Sequence, residues 1–550
     1  MFKDLYIKYK WYIIFTIPMS MLLGMASISV IAIISEAIGN DLQNLEYDAT
    51  FFFTTIGLLF VLGLVNEWLR AKLLAHVIYD LQIKMVRRVI ATPLAQLEKI
   101  GIPKVIATLT EDLSTAINYF HALPIVFVNI AIILFGIGYM AYLSTELLGI
   151  VLLFVVVGAV TVTGLVLFTK KDRKGIREAT DDMMSHYQSV VSGAKELALN
   201  SYRKYFLAES IYGTAAGMRK RTRRVLSVLA VVDQWAQLIV FAMLGCVIFI
   251  VDRWLNLPTD VILGFVMTLL FLLEPIEVIT TKADELMDAK VAFEKIDSLK
   301  LAPVDGWKGP ELELPQYTTS SVHHLKLDNL EYTYTRETEQ QTETFHLGPI
   351  SAEFKAGEVT LILGGNGSGK STLLKVLCGL YEKDAGTISL DGRIQDDSSG
   401  EPFRNHFSMI TPDFCLFRDV IDAKGHRCED NQANELLQQL KLAGVVSCTD
   451  SQLSKLDLSQ GQRKRVALMQ AYLEDKPIVL LDEWAADQDP TFKDIFYKSI
   501  IPNLKRQRKI VIVVTHDDKY FDISDRVLRL SEGKLEDYQV SDPQSHAEIA

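Results

Sequence analysis

Gly364-Gly-Asn-Gly-Ser-Gly-Lys-Ser371 follows directly on the apolar run Val359 to Leu363 and leads into a helix-favouring run, Thr372 to Leu380. A strand, a glycine-rich turn closing on Lys-Ser and a helix together let successive backbone amides and the positive helix end surround phosphate oxygens. Gly364, Gly365, Gly367 and Gly369 permit the tight turn, and Asn366, Ser368 and Thr372 complete its lining. Lys370 is placed to reach the β- and γ-phosphates of ATP, and Ser371 to offer its hydroxyl to Mg²⁺. A glycine-rich loop by itself is only a turn. Here the eight-residue fit is joined by a second apolar strand, Ile478-Val-Leu-Leu-Asp-Glu483, in which Asp482 would hold the same ion, directly or through water. Glu483 would activate the attacking water.

The kind of ATPase is indicated by later residues. Leu458-Ser-Gln-Gly-Gln462 resembles the signature motif of the ATP-binding cassette (ABC) family, with Gln460 standing for one glycine of a pair. The resemblance implies that Ser459, Gln460, Gly461 and Gln462 open a helix addressing the γ-phosphate bound to the other subunit, so that one cassette per chain means a homodimer. His516, after the apolar strand Ile510 to Val514, resembles the family's switch histidine, and Asp489 the aspartate of the loop that crosses the cassette dimer. In Leu330-Glu-Tyr-Thr-Tyr334, Tyr334 resembles the aromatic that stacks on adenine, with Tyr332 as the competing assignment. Two departures stand out. In Ile410-Thr-Pro-Asp-Phe-Cys-Leu-Phe417, Pro412 takes the register of the family's lobe-joining glutamine; either Asp413 beside it substitutes as a polar metal ligand, or lobe coupling is weaker. Thr449 to Leu456 replaces the glycine-rich segment that usually leads into the signature, which alters a contact surface and not the chemistry.

The chain has 550 residues, 49% of them hydrophobic, a net charge of -11 and a positive mean hydropathy, which does not suit a single soluble domain. Six apolar runs, about 12 to 35, 51 to 69, 123 to 143, 147 to 168, 225 to 251 and 258 to 280, have the length a helix needs to cross a bilayer. The segment Glu36 to Thr50 carries Glu36, Asp41, Glu46 and Asp48 without Lys or Arg, and Ser144 to Leu147 has no basic residue, so both face outward. Lys3, Lys8 and Lys10, and the basic stretch from Lys170 to the cluster Arg219-Lys-Arg-Thr-Arg-Arg224, belong in the cytoplasm. That puts the N-terminus and the ATPase in the cytoplasm, where ATP is. The first run is too long for a cleavable signal core, and its removal would spoil the even span count. Five scattered cysteines show neither disulfide nor metal spacing. The acidic balance argues against nucleic acid, the basic clusters matching anionic lipid headgroups at the membrane edge.

These features lay out a membrane domain over 1-300, a linker over 301-322, a nucleotide-binding domain over 323-540 and a tail over 541-550. The expected fold is an α-helical six-span membrane domain of exporter-type ABC form, joined to an α/β P-loop domain with a helical subdomain. Long connections between spans two and three and between four and five, with breaks at Gly101-Ile-Pro103 and near Asn200-Ser-Tyr202, resemble the coupling elements of that fold; ordinary loops are the alternative. Trp484-Ala-Ala-Asp-Gln-Asp-Pro490, with Thr515-His-Asp-Asp-Lys-Tyr-Phe521, is similar to the bacterial cyclic-peptide and siderophore exporter family. This implies a peptide-like cargo, with periplasmic or outer-membrane export components as further partners. Asp233 and Gln237 on one helical face, and Glu274 and Glu277 around Pro275, are candidates for a polar substrate path, or else lie wetted at the membrane surface. A lipid flippase, an ATP-gated membrane regulator and a siderophore importer share these motifs.

Overall fold

The computed structural model describes residues 2-39, 45-251, 258-303, 321-337, 342-395 and 400-538. Most of the linker 301-322, the tail 541-550 and Asp41 of the outward loop fall outside the described residues. The chain forms two compact units, Met1-Val86 with Ile106-Lys300, and Arg87-Val105 with Leu301-Ala550.

Among the described residues six helices, lying mostly in the first unit, are long and apolar enough to cross a membrane: Ile7-Ile38, Ala49-Ala91, Ile102-Leu143, Thr145-Leu167, Ser201-Phe249 and Thr259-Ser298. Several overrun the bilayer. At 1.5 Å per residue the 49 residues of Ser201-Phe249 reach about 70 Å, against a hydrocarbon core of about 30 Å. The first, third and sixth pack together, while the fourth lies along the fifth. Small residues set the close contacts: a Cβ on Gly24 would come within 2.7 Å of the Ala131 backbone, and one on Gly136 within 2.8 Å of Leu272. Of the apolar window of Thr145-Leu167 only 6% is buried, so its remaining surface has to be covered by lipid or a second chain.

The second unit is built on two sheets. β1 (His324-Glu337), β2 (Thr342-Lys355), β4 (Ala385-Leu390) and β5 (Arg393-Ile394) form an antiparallel sheet in the order β2-β1-β4-β5. β3 (Val359-Leu363), β6 (Phe407-Ile410), β9 (Ile478-Asp482), β10 (Ile510-Val514), β11 (Arg526-Ser531) and β12 (Lys534-Asp537) form the larger sheet, ordered β12-β11-β3-β10-β9-β6 and parallel except at β12. β7 (Cys448-Thr449) and β8 (Gln452-Leu453) make a small hairpin. Strand residues alternate between two cores. Val359, Leu361, Val479, Leu481, Val511 and Val513 join one with the helical subdomain, whereas Ile362, Ile478, Leu480, Ile512 and Val514 join the other with the antiparallel sheet. Covered on both faces, these strands are continuous apolar runs.

Arg87-Val105 belongs to this second unit because it is docked there. The helix Leu94-Ile100 is framed by Pro93 and by Gly101 at φ +88°, and Leu94 and Ala95 pack against the core beneath the antiparallel sheet. The sequence locates one end of this short helix, Gly101, and one end of its counterpart Ala194-Leu199, where Asn200 caps the next helix by accepting from the Tyr202 and Arg203 amides. The opposite ends are Pro93 and Gly193. Pro103 breaks nothing: it sits in the first turn of Ile102-Ala107, where no amide donor is needed. The segment Leu94-Ile100 is therefore a docked element of the second unit and not an ordinary loop.

Candidate functional site

Parallel register brings the site together. Val514 pairs with Ile362 on one side and with Asp482 on the other, so β3, β9 and β10 end at the same level. Their carboxyl ends deliver the loop from Gly364, then Glu483, then His516 to one edge of the sheet, the position open α/β sheets use for ligands. The sequence spreads these residues over 364 to 516; the hydrogen-bond register puts them together.

The loop keeps its shape through glycines that tolerate no side chain. A Cβ on Gly364 would lie 2.3 Å from the Leu530 carbonyl oxygen, and Gly369 has φ +99° with the Phe345 ring 2.7 Å from where its Cβ would be. Gly365, Asn366 and Gly367 are exposed, Ser368 and Thr372 half-buried, and Ser371 exposed at the start of the helix Lys370-Leu377. Lys370 is buried, and its ammonium donates to the Gly364 carbonyl at 2.7 Å and the Gly365 carbonyl at 3.0 Å. Burial lowers its pKa, while the Glu483 carboxylate 3.8 Å away and Asp482 pull it back up.

Asp482 is 1% exposed, and among the described residues neither carboxylate oxygen has a hydrogen-bond partner; the Ser368 hydroxyl is orphaned in the same way. Burial pushes the Asp482 carboxyl up; the Ser371 hydroxyl, near it without full hydrogen-bond geometry, counters part of that shift, and the Glu483 charge adds to it. A buried anion without partners beside an exposed hydroxyl suits a hard divalent cation, so Ser371 and Asp482 fit Mg²⁺. Asp413 is exposed and makes no hydrogen bond or ion pair with Ser371 or Asp482 among the described residues.

The sign of the Asp482 shift gives a test. A carboxyl whose folded pKa exceeds its unfolded value favours folding below the unfolded pKa, and that contribution is lost as pH rises through the folded value. At neutral pH the charged group therefore destabilises the nucleotide-free cassette. Asp482→Asn is expected to stabilise that state by about 1-3 kcal/mol, with a smaller gain at pH 5, and to remove the extra stabilisation given by Mg²⁺ with ATP. Thermal unfolding with and without Mg²⁺ measures both effects; an unchanged midpoint in the nucleotide-free state would mean the carboxylate is not strained.

Glu483 holds a left-handed backbone, φ 48° and ψ 36°, which costs an L-residue about 1-2 kcal/mol. Its amide donates to the Val514 carbonyl at 3.1 Å, and its Oε1 lies 3.2 Å from His516 Nε2. Trp484 turns inward from this bend, wholly buried and stacked on Phe496 at 4.3 Å with an interplanar angle of 21°. The unusual tryptophan is thus a core anchor for the strand end. Asp489 caps the following helix Pro490-Ile495, accepting from the Phe492 amide at 3.0 Å, and pairs with Arg465 at 2.7 Å.

Ser459 opens the helix Gln460-Glu474 in a capping box with Gln462, each side chain meeting the other's backbone amide. Ser459 and Gln460 are exposed, and the Gly461 carbonyl accepts from Gln488 at 3.0 Å. Among the described residues no hydrogen bond or ion pair joins Ser459, Gln460, Gly461 or Gln462 to residues 364-372.

Of the two candidate tyrosines, Tyr332 is engaged elsewhere: it stacks on Tyr381 at 5.2 Å with an interplanar angle of 25°. The Tyr381 hydroxyl donates to Glu98 of the docked helix, which also accepts from Lys375 at 2.9 Å. Burial and the Glu98 carboxylate hold the Tyr381 phenol well above its usual value. Tyr334 is 37% exposed, opposite Phe345 in the β1-β2 register, and Phe345 lines a cavity of about 590 Å³ with Gly365, Asn366 and Gly367. Sequence reasoning missed Phe345, Glu98 and Tyr381. Each matters through a partner on another element, and no motif signals that.

In the membrane unit Asp233, Gln237, Glu274 and Glu277 are all exposed in the single chain. No hydrogen bond or ion pair links the first two with the last two among the described residues; next to them Trp235 Nε1 donates to Thr161 at 3.0 Å.

Comparison with known proteins agrees with this arrangement. A family model described as ABC transporter matches residues 347-486. The chain is 31% identical over 542 residues to the ATP-binding protein SyrD of Pseudomonas syringae pv. syringae, spanning 96% of this chain and 94% of that protein. It is 24% identical over 375 residues to the ATP-dependent lipid A-core flippase of Vibrio cholerae, spanning 66% of this chain and 61% of that one. A solved structure of a bacterial Atm1-family ABC exporter with ATP bound superposes with a TM-score of 0.72 at 16% identity, covering 96% of this chain and 95% of that one. With these similarities added to the phosphate loop, the strand-end Asp-Glu pair and the six long apolar helices, the chain belongs to the ABC transporter family, as a multi-pass membrane protein of exporter-type fold that couples ATP hydrolysis to transport.

Proposed function

We propose that the protein exports a peptide-like cargo across the bacterial inner membrane as a homodimer, with the N-terminus and cassette in the cytoplasm. On this reading residues 1-300 form the transport pathway and 323-540 the ATPase. The observation that carries the dimer is the exposed helix start at Ser459, disconnected from the phosphate loop of its own chain. A second cassette supplies what is missing: its Ser459, Gln460, Gly461 and Gln462 face the phosphate held by this Gly364-Thr372 loop, with Asp489 at the crossing. A second chain also has a waiting surface, since Leu199 is 89% exposed and Tyr202 81% exposed at the tip of the cytoplasmic helices.

In the cycle, Tyr334 stacks on adenine and Lys370 turns its ammonium from the loop carbonyls to the phosphates. Ser371 and Asp482 would hold Mg²⁺, which would supply charge neutralisation at the phosphates. Glu483 takes the proton of the attacking water, and His516 holds that carboxylate in place while contacting the γ-phosphate. Closure of the cassettes is passed to the membrane helices through docked elements such as Leu94-Ile100.

The cargo reading rests on the similarity around Trp484 and on the exposed polar groups of the spans. A charged residue facing hydrocarbon costs about 2.5-3.5 kcal/mol, so Asp233, with Gln237 one turn on, and Glu274 with Glu277 are better placed on a wet path that favours a cationic or polar peptide. A lipid flippase is the second reading, favoured by the similarity to the Vibrio cholerae protein. The test is ATPase activity in lipid nanodiscs against cyclic peptides, peptide siderophores and lipids, with Glu483→Gln as blank. Stimulation by one peptide class is expected, and Asp233→Asn should at least halve it; stimulation by lipid alone would overturn the peptide reading.

A further inference from the structure

Lys464 is a cation in the wrong place for a surface residue. It lies on the helix Gln460-Glu474 in register with Ala467, Leu468 and Ala471, the face this helix buries, and it is 1% exposed. A buried ammonium has to be paired, and here its partners are specific. Its Nζ donates to the backbone carbonyl of Glu483 at 2.8 Å and contacts the Asp487 carboxylate at 2.7 Å. Its own carbonyl accepts from the indole nitrogen of Trp484 at 2.9 Å. Two of its three protons are thus directed at the bend that carries Glu483 and the turn that follows it.

We propose that Lys464 is a positioning residue for Glu483, coupling the helix opened by the signature motif to the carboxylate that accepts the proton of water. The proposal rests on the reading of Glu483 as that proton acceptor. Glu483 occupies the left-handed region at φ 48°, which costs an L-residue about 1-2 kcal/mol. Besides the Val514 carbonyl that receives its amide, its carbonyl is held by the Lys464 ammonium and by the Ala486 amide at 3.2 Å. A displacement of the helix that removes the ammonium loosens the bend and lets the carboxylate drift from His516. The same helix begins at Ser459, so the lysine ties the helix of the signature motif to the bend that carries Glu483. Arg465, the next residue, bonds Gln488 at 2.9 Å and Asp489 at 2.7 Å, extending the connection along the same loop.

The experiment is a double-mutant cycle on the full chain in nanodiscs, with ATP turnover and thermal unfolding measured together. Lys464→Met is expected to lower kcat by about 10-100-fold, as small misplacements of a reacting group do, with KM for ATP unchanged, and Lys464→Arg to restore most of the rate. In the Glu483→Gln background Lys464→Met should change the residual turnover no further, because it acts through the lost carboxylate. An unaltered kcat in Lys464→Met, or an equal loss in both backgrounds, would overturn the proposal; the second result is that of a merely structural lysine. Should Lys464→Met not unfold cooperatively, Lys464→Leu replaces it, and an unaltered kcat there counts against the proposal in the same way. Wild-type turnover in Glu483→Gln alone would instead sink the assignment of the base, which is read separately.

Discussion

Glu483→Gln is expected to bind ATP as the wild type does and to lose turnover by about 10²-10⁴-fold, the range attributable to general base catalysis. The amide keeps the shape of the side chain and its contact with His516, now 3.2 Å away, but it cannot take a proton from water. The left-handed bend, set by the Val514 and Lys464 contacts, involves only backbone atoms of Glu483 and is untouched. One secondary effect has a definite sign. Glu483 is 3.8 Å from the Lys370 ammonium and offsets part of its burial, so the neutral variant binds the anionic nucleotide at least as tightly. On the proposed homodimer the variant is therefore expected to accumulate with nucleotide trapped and its cassettes closed. Single-turnover hydrolysis and retention of labelled ATP after rapid dilution measure the two halves of this expectation; fast turnover would remove Glu483 from the chemistry.

Lys370→Ala is expected to weaken ATP binding by about 10²-10⁴-fold, from two charge-assisted hydrogen bonds of about 1.5-3 kcal/mol each lost to the phosphates. The structure shows why the fold survives. Lys370 is held by carbonyls of its own loop, Gly364 and Gly365, and the loop is otherwise fixed by close approaches that need no lysine, Gly364 on Leu530 and Gly369 on Phe345. Removing a buried ammonium also removes its desolvation, so the unfolding midpoint without nucleotide should move little. Equilibrium binding of a fluorescent ATP analogue, set beside that midpoint, distinguishes a lost ligand contact from a lost fold. Undiminished binding in a folded variant would refute the role of the phosphate loop.

Much of this protein is legible along the chain because its chemistry is written in contiguous stretches. The turn from Gly364 to Ser371, the strand ending in Asp482-Glu483 and the signature around Ser459 are each local patterns, and apolar runs long enough to cross a bilayer are recognisable wherever they occur. The choice between Tyr332 and Tyr334 was of another kind. Tyr381, held by Glu98 far away in sequence, stacks on the first, and no local pattern announces that contact. Trp484 looks like a family peculiarity until its stacking on Phe496 makes it an anchor, and Lys464 like a surface lysine until its burial is seen. Pro412 and Asp413 were legible as a departure from the family pattern, yet only the structure shows Asp413 facing solvent away from any bond to Ser371 or Asp482. The sequence by itself determined the ATP-hydrolysing chemistry and the six spans, since short-range backbone geometry and hydrophobicity specify them. The tertiary structure decided which side chains lie beside that site and how they are buried and paired, because burial and pairing arise only when strands and helices distant in sequence are brought into contact.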